Sequence, residues 1–171
     1  IVGVLATPAT FQSALYASVV ERFGQGVHIF QDPCPGLVQQ IESGDLTGPR
    51  IREILENALA PMLSAGIDTV VMGCTHYPFV IPLIQEIVGS HVRVIDPAPA
   101  VARQVGRMLE SYGWLASGCD FPPLTLITSG PGPAFERLLP QFLGRNGQVE
   151  AVSWLDHTIQ PVLGLKTFYS A

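Results

Sequence analysis

The sequence predicts an α/β protein, a parallel sheet layered with helices, and three observations carry that expectation. Short runs rich in valine and isoleucine recur along the 171 residues, continuous in their apolar character as strands buried on both faces require. Between them lie stretches whose apolar residues return at three- and four-residue steps, the period of a helix packed on one side. Prolines and glycines, 15 and 17 of them, fall mainly at the junctions between the two kinds of segment.

The expected strands lie at 2–6, 27–31, 69–73, 92–95, 124–128 and 149–152. The clearest helix is expected over 49–65, where Ile51, Ile54, Leu55, Ala58, Met62 and Leu63 form one apolar stripe. Pro49 suits its first turn and Gly66 its C-terminal cap. Further helices are expected at 11–23, 37–43, 79–88, 100–112 and 134–143. Breaks in the pattern fall at 117–123, with Gly118, Pro122 and Pro123, and at 130–133. From Arg145 onward the period weakens, and the tail reads as one strand with irregular cover. No internal repeat or low-complexity segment is visible.

With 47% hydrophobic and 13% charged residues, the chain has the composition of a folded domain with one core. Acidic side chains outnumber basic ones 14 to 9, and no lysine or arginine cluster is present to track a phosphate backbone, which argues against direct nucleic-acid binding. No apolar run approaches the ~18 residues of a membrane span, and no signal-peptide pattern opens the chain, so a soluble cytoplasmic protein is expected and no membrane partner. The first residues, Ile1 to Leu5, read as a strand whose upstream neighbour has been removed. The three cysteines, Cys34, Cys74 and Cys119, are irregularly spaced, which supports neither a disulfide framework nor a metal site, and each is judged as a free thiol.

Ligands of open α/β sheets bind where the strands end, because the following loops present backbone amides and side chains there. Of the four such loops in the first hundred residues, the third is richest: Gly73-Cys74-Thr75-His76-Tyr77-Pro78. It combines close backbone approach at Gly73, a thiol, a short hydroxyl and an imidazole able to pass a proton near neutral pH, the parts of a proton-transfer site. A buried cysteine at a strand end is more often inert filling, and it is the neighbours of Cys74 that reverse this expectation. Cys34, between two prolines, reads as filling. Cys119, in a Ser-Gly-Cys-Asp turn, has no acid/base companion. Thr7 and Thr10 are candidates either for capping the next helix or for holding a ligand. His91 and His157 read as surface or packing residues. By residue type alone Glu42 reads as a solvated face and Asp96 as a turn residue.

The string from Gly73 to Pro78 resembles the second cysteine motif of bacterial glutamate racemases. The resemblance continues in order through Gly3-Val4-Leu5-Ala6-Thr7, Cys34-Pro35 with Leu37-Val38 and Glu42, Ile95-Asp96-Pro97-Ala98, and Thr128-Ser129-Gly130 with Phe135 beyond, so collinear matches span most of 2–143. Ala9 departs from the glycine usual in the loop after the first strand. No counterpart is found for the family's Asp-Ser-Gly loop or for its Cys-Asn-Thr cysteine motif.

The resemblance implies two α/β lobes facing each other across a cleft, each supplying one cysteine to opposite faces of the α-carbon of glutamate, with no cofactor and no metal. It assigns residues 1–97 to the second lobe and 98–171 to a crossover helix and C-terminal segment returning to the other, N-terminally truncated lobe. It makes Cys74 one of the two thiol acid/bases, His76 its assistant and Glu42 a carboxylate that tunes that side, with Thr7, Thr10 and Thr75 binding substrate. It also implies a role in supplying D-glutamate to peptidoglycan, while homodimerisation and contact with DNA gyrase enter by family analogy only. Without the partner thiol the chain is expected to be inactive by itself. Aspartate and hydantoin racemases and arylmalonate decarboxylases share the cysteine logic, but the aspartate enzymes tend to carry an acidic residue where His76 stands. Outside enzymes, the alternative is a non-catalytic binding or regulatory lobe.

Overall fold

The structure, a computed structural model, describes residues 1–116, 118, 124–155 and 157–161. Cys119, Pro122, Pro123 and the last ten residues, about which the sequence raised expectations, lie outside the described residues. The chain divides into two compact units, Ile1–Leu115 and Ala116–Ala171.

The first unit is a four-stranded parallel sheet with the order β2-β1-β3-β4, formed by β1 (Val2–Leu5), β2 (Ile29–Asp32), β3 (Thr69–Met72) and β4 (Arg93–Ile95). The central pair is in register from Val2 opposite Thr69 to Leu5 opposite Met72. Leu5, Ala6, Val70 and Met72 are fully buried there, which is why these short segments read as continuous apolar runs. All the connections are helical: α1 (Pro8–Phe11) and α2 (Ala14–Phe23) after β1, α3 (Leu37–Glu42) and α4 (Pro49–Ser64) after β2, and a 3-10 turn (Tyr77–Val80) with α5 (Ile81–Val88) after β3. The unit closes with α6 (Ala98–Ser111).

The longest helix, α4, buries Ile51, Ile54, Leu55, Ala58 and Met62 of the stripe anticipated from periodicity, with Leu59 buried in place of the expected Leu63, which is only partly buried, and Pro49 occupies its first turn. On α3, Leu37 and Ile41 are fully buried, and that short helix packs against both α4 and the 3-10 turn. Two expected helices are divided in the structure. The first restarts at Ser13, whose hydroxyl accepts the Tyr16 amide at 3.1 Å as an N-cap. The second is preceded by a tighter 3-10 turn because Pro82 sits at the start of α5, where a missing amide hydrogen costs nothing.

By contrast α2 and α6 contain no buried residue. Leu15, Val19 and Phe23 stand exposed on α2, and Val101, Val105 and Met108 on α6 with Tyr112 at its C-cap, each set at helical spacing.

The second unit pairs β5 (Leu126–Thr128) in parallel with β6 (Val149–Leu155), joined by α7 (Gly132–Leu143). Here β6 runs on past the expected end of its strand and turns back into an antiparallel partner, β7 (Thr158–Pro161), where the sequence suggested irregular cover. His157 takes a left-handed φ of 62° in that turn, the kind of conformation a tight hairpin requires. No described helix is long and apolar enough to cross a membrane.

Candidate active site

The strand order places a topological switch between β1 and β3: the chain leaves β1 toward β2 on one side and later enters β3 on the other. The connections after β1 and β3 therefore run in opposite directions from the switch, where open sheets commonly bind ligands, while the cavity that Cys74 lines lies between the loops after β3 and β4. Thr7 and Thr10 follow β1 and Gly73 to His76 follow β3, so the richest sequence motif stands at the position where such a sheet binds its ligand.

Gly73 lets the two loops meet. A Cβ on it would lie 2.7 Å from the Ala6 Cβ and 3.3 Å from the Leu5 carbonyl, so only glycine fits against β1 without displacing backbone. Its carbonyl is approached by the Thr10 hydroxyl at 3.5 Å, and Thr10 and Thr7 share a hydroxyl hydrogen bond of 3.1 Å. Thr7 occupies the N-cap position of α1 but makes no side-chain cap bond, so the capping alternative is not realised there. Cys74 and Thr75 line a cavity of about 520 Å³, with Gly73, Asp96, Pro97 and Val101 among its walls. Asp96 is held in the loop after β4 by accepting the Ala98 amide at 2.8 Å.

Cys74 heads a chain of three side chains that continues through His76 to Glu42. The thiol lies 3.9 Å from His76 Nδ1, within reach for a sulfur hydrogen bond, and His76 Nε2 lies 3.0 Å from Glu42 Oε1. An ionised carboxylate only accepts, so Nε2 carries the hydrogen toward Glu42. In the neutral ring this leaves Nδ1 as the lone pair facing the sulfur. The arrangement can take the thiol proton onto imidazole and return it, with Glu42 fixing the tautomer and stabilising the imidazolium. Glu42, which read as a solvated residue by type alone, is thus joined to the cysteine motif across 34 positions of sequence. The pair is half open to solvent, His76 being 34% and Glu42 59% exposed, so its contribution to stability is small.

The other described cysteine has a different setting. Cys34 is 2% exposed, in the loop after β2, with φ at 44°. Burial, then the adjacent Asp32 carboxylate, push its thiol well above the usual range. A thiol so buried and raised holds little thiolate, in keeping with the filling expected of it. The Tyr77 hydroxyl is raised likewise, by burial first and then by the charges of Cys34, Cys74 and Asp32. The sequence motif contains Tyr77 but assigns it no role in the chemistry. It is almost wholly buried, and its hydroxyl donates to the Pro33 carbonyl at 3.1 Å. The available signal was chemical: a buried tyrosine hydroxyl needs a partner.

Residues 1–105 match the family described as Asp/Glu/Hydantoin racemase. The chain belongs to that family. Among its curated relatives in this racemase family, the glutamate racemase of Pseudomonas aeruginosa (strain UCBPP-PA14) is 49% identical over 143 residues, 84% of this chain and 54% of its own. That of Pseudomonas syringae pv. tomato (strain ATCC BAA-871 / DC3000) is 50% identical over 151 residues, 88% and 54% of the two chains. Among solved structures, a glutamate racemase isoform of Bacillus anthracis superposes with a TM-score of 0.78 at 28% identity, covering 89% of this chain and 57% of that one. The glutamate racemase of Francisella tularensis, solved in complex with D-glutamate, gives 0.77 at 27%, with the same coverage. The chain spans about half the length of the curated relatives it matches. The racemase family match ends inside the first unit, yet the 143 aligned residues outnumber the 115 of that unit, so the likeness to the curated relatives reaches into the second.

Proposed function

We propose that this chain is the Cys74-bearing part of a cofactor-independent glutamate racemase. The observation that carries the reading is the thiol, imidazole and carboxylate chain of Cys74, His76 and Glu42 at the switch point of a parallel sheet.

Cys74 as thiolate takes the α-proton from one enantiomer, the proton passing from carbon to sulfur. A second thiol donates its own proton to the opposite face of the planar intermediate, and the centre inverts with no net change in protons. In the reverse direction Cys74 is the donor. His76 holds the Cys74 proton when the thiolate is needed and Glu42 steadies the charged ring. Thr75, in the cavity wall, and Thr10 and Thr7, on the neighbouring loop, are assigned to hydrogen bonding with the substrate, whose carboxylate gathers charge as the proton leaves. Cys34, buried beside a carboxylate, is unsuited to be the second thiol, which we place outside these 171 residues. Residues 98–171 are assigned to the returning segment of the lobe that carries it, a reading supported by the uncovered apolar face of α6. The product D-glutamate would enter peptidoglycan assembly in the bacterial cytoplasm, in keeping with relatives that are bacterial glutamate racemases.

The test measures inversion and α-deuterium uptake by NMR in D2O with L- or D-glutamate. The chain alone is expected to give no inversion. Adding the complementary half of the P. aeruginosa relative is expected to restore it, and Cys74→Ser to abolish it again. Restored inversion that survives Cys74→Ser would sink the assignment of Cys74. Inversion by the chain alone would overturn the placement of the second thiol.

A further inference from the structure

His76 and Glu42 belong to different segments, and both are open to solvent. Their 3.0 Å contact is therefore weak by itself, and something else must keep the two backbones in register. Glu42 is the last residue of α3, a helix of only six residues whose place is set by the loop leading into it. That loop is bent at Cys34, with φ at 44°, and at Gly36, with φ at 87°. Both conformations lie in the left-handed region, which a residue with a Cβ such as Cys34 seldom adopts, so the bend needs outside support.

The support in view is Tyr77. It directly follows His76 in sequence and is 1% exposed. Its hydroxyl donates to the carbonyl of Pro33, the residue that opens the bent loop. One hydrogen bond thus ties the backbone that carries His76 to the backbone that carries Glu42. The 3-10 turn begun by Tyr77 also packs against α3, where Leu37 and Ile41 are fully buried.

We infer that Tyr77 is a positioning residue for the proton-transfer chain: its hydroxyl, through Pro33, sets the distance between Glu42 and His76 and so the proton exchange at Cys74. The inference rests on the reading of Cys74, His76 and Glu42 as that chain. It makes a distinction between the ring and the hydroxyl of Tyr77. The ring fills the core, whereas the hydroxyl holds the loop.

The experiment uses the 171-residue chain and needs no turnover. The rate at which iodoacetamide alkylates Cys74 is followed against pH by peptide-resolved mass spectrometry in the wild type, Glu42→Gln and Tyr77→Phe, with a thermal melt of each. In both variants the neutral-pH rate at Cys74 is expected to fall about fivefold, the factor carried by the net contribution of one hydrogen bond, and the pH profile to move to higher pH. Tyr77→4-aminophenylalanine, which restores a donor, should return the wild-type profile. If Glu42→Gln shifts the profile and Tyr77→Phe does not, the chain stands and the role of Tyr77 is refuted. If neither shifts it, the chain itself is refuted and the inference falls with it. A shift in Tyr77→Phe alone would mean that Tyr77 acts by another route, which also overturns it. Should Tyr77→Phe fail to melt cooperatively, Tyr77→4-methylphenylalanine, a donorless group of similar length, is compared with the 4-amino variant and must show the same slowing.

Discussion

The loops that leave β2 and β3 are built alike and behave differently. Each places a cysteine two residues beyond the strand end, Cys34 after Asp32 and Cys74 after Met72. One is sealed beside a carboxylate that opposes its ionisation. The other lines a cavity and faces an imidazole that can carry its proton. Position relative to the sheet is thus insufficient to make a thiol reactive. The sign of the neighbouring group and its access to solvent decide the outcome.

The largest expected effect tests that contrast directly. At neutral pH iodoacetamide should modify Cys74 at least about tenfold faster than Cys34, since a single unit by which a thiol is raised removes a factor of ten in thiolate and burial blocks the reagent as well. Peptide mapping of a time course reads both sites in one sample. Comparable rates would show that the β2 loop opens freely and would remove the distinction between the two loops.

The next effect probes what keeps the β2 loop shut. Leu37 is fully buried on α3, next to the loop that holds Cys34. Leu37→Ala should lower the stability of the first unit by about 2–5 kcal/mol, the usual cost of emptying a core leucine site. The same change should accelerate alkylation of Cys34, narrowing its difference from Cys74. Urea unfolding followed by circular dichroism gives the first quantity and the alkylation assay the second. A destabilisation below about 1 kcal/mol would mean that α3 is not the lid of this loop.

The contrast between the loops also marks how far the sequence could be read. The four strands of the first sheet, the stripe of α4 and the concentration of chemistry at Gly73 to His76 were all legible, because each is written in local periodicity or in adjacent residue types. The hydrogen bond between Glu42 and His76 was not legible, since it joins positions 34 apart, and Glu42 itself entered the reading only through family resemblance, as a carboxylate that tunes that side. Tyr77 shows a different limit: its hydrophobic ring was visible in the string, but the partner of its hydroxyl is a backbone carbonyl 44 residues away, which no side-chain pattern encodes. The hairpin of β6 and β7 escaped for a third reason. The strand expected at 149–152 is present, but beyond it Trp154, Leu155 and Ile159 are exposed, so the end of β6 and β7 lack the buried alternation that makes a strand readable.

The smallest expected effect concerns pH and isolates Cys34 by subtraction. Its thiol is pushed up in the folded chain by burial and by Asp32, whereas in the unfolded chain it ionises near the ordinary value of about 8.5. Below that value the thiol is protonated in both states and folding is indifferent to pH on its account. Above it the unfolded state sheds a proton that the folded state keeps, so the unfolded state binds fewer protons and stability falls as pH rises. One such group gives a slope approaching about 1.4 kcal/mol per pH unit, or a loss of about 1 kcal/mol between roughly pH 8.5 and 9.5. Tyr77, raised for the same first reason, adds a similar slope only above about pH 10, where a free tyrosine ionises. In Cys34→Ala the first of these slopes should vanish while the second remains. Urea midpoints measured from pH 7.5 to 11 on the two proteins separate them, and an unchanged slope between about pH 8.5 and 9.5 in Cys34→Ala would show that Cys34 is not held protonated by its surroundings. Cys74→Ala is the matching control: removing the thiol that lies open to the cavity should leave the Cys34 slope in place, because burial and Asp32 are the leading causes that raise Cys34 and the charge of Cys74 is the smallest.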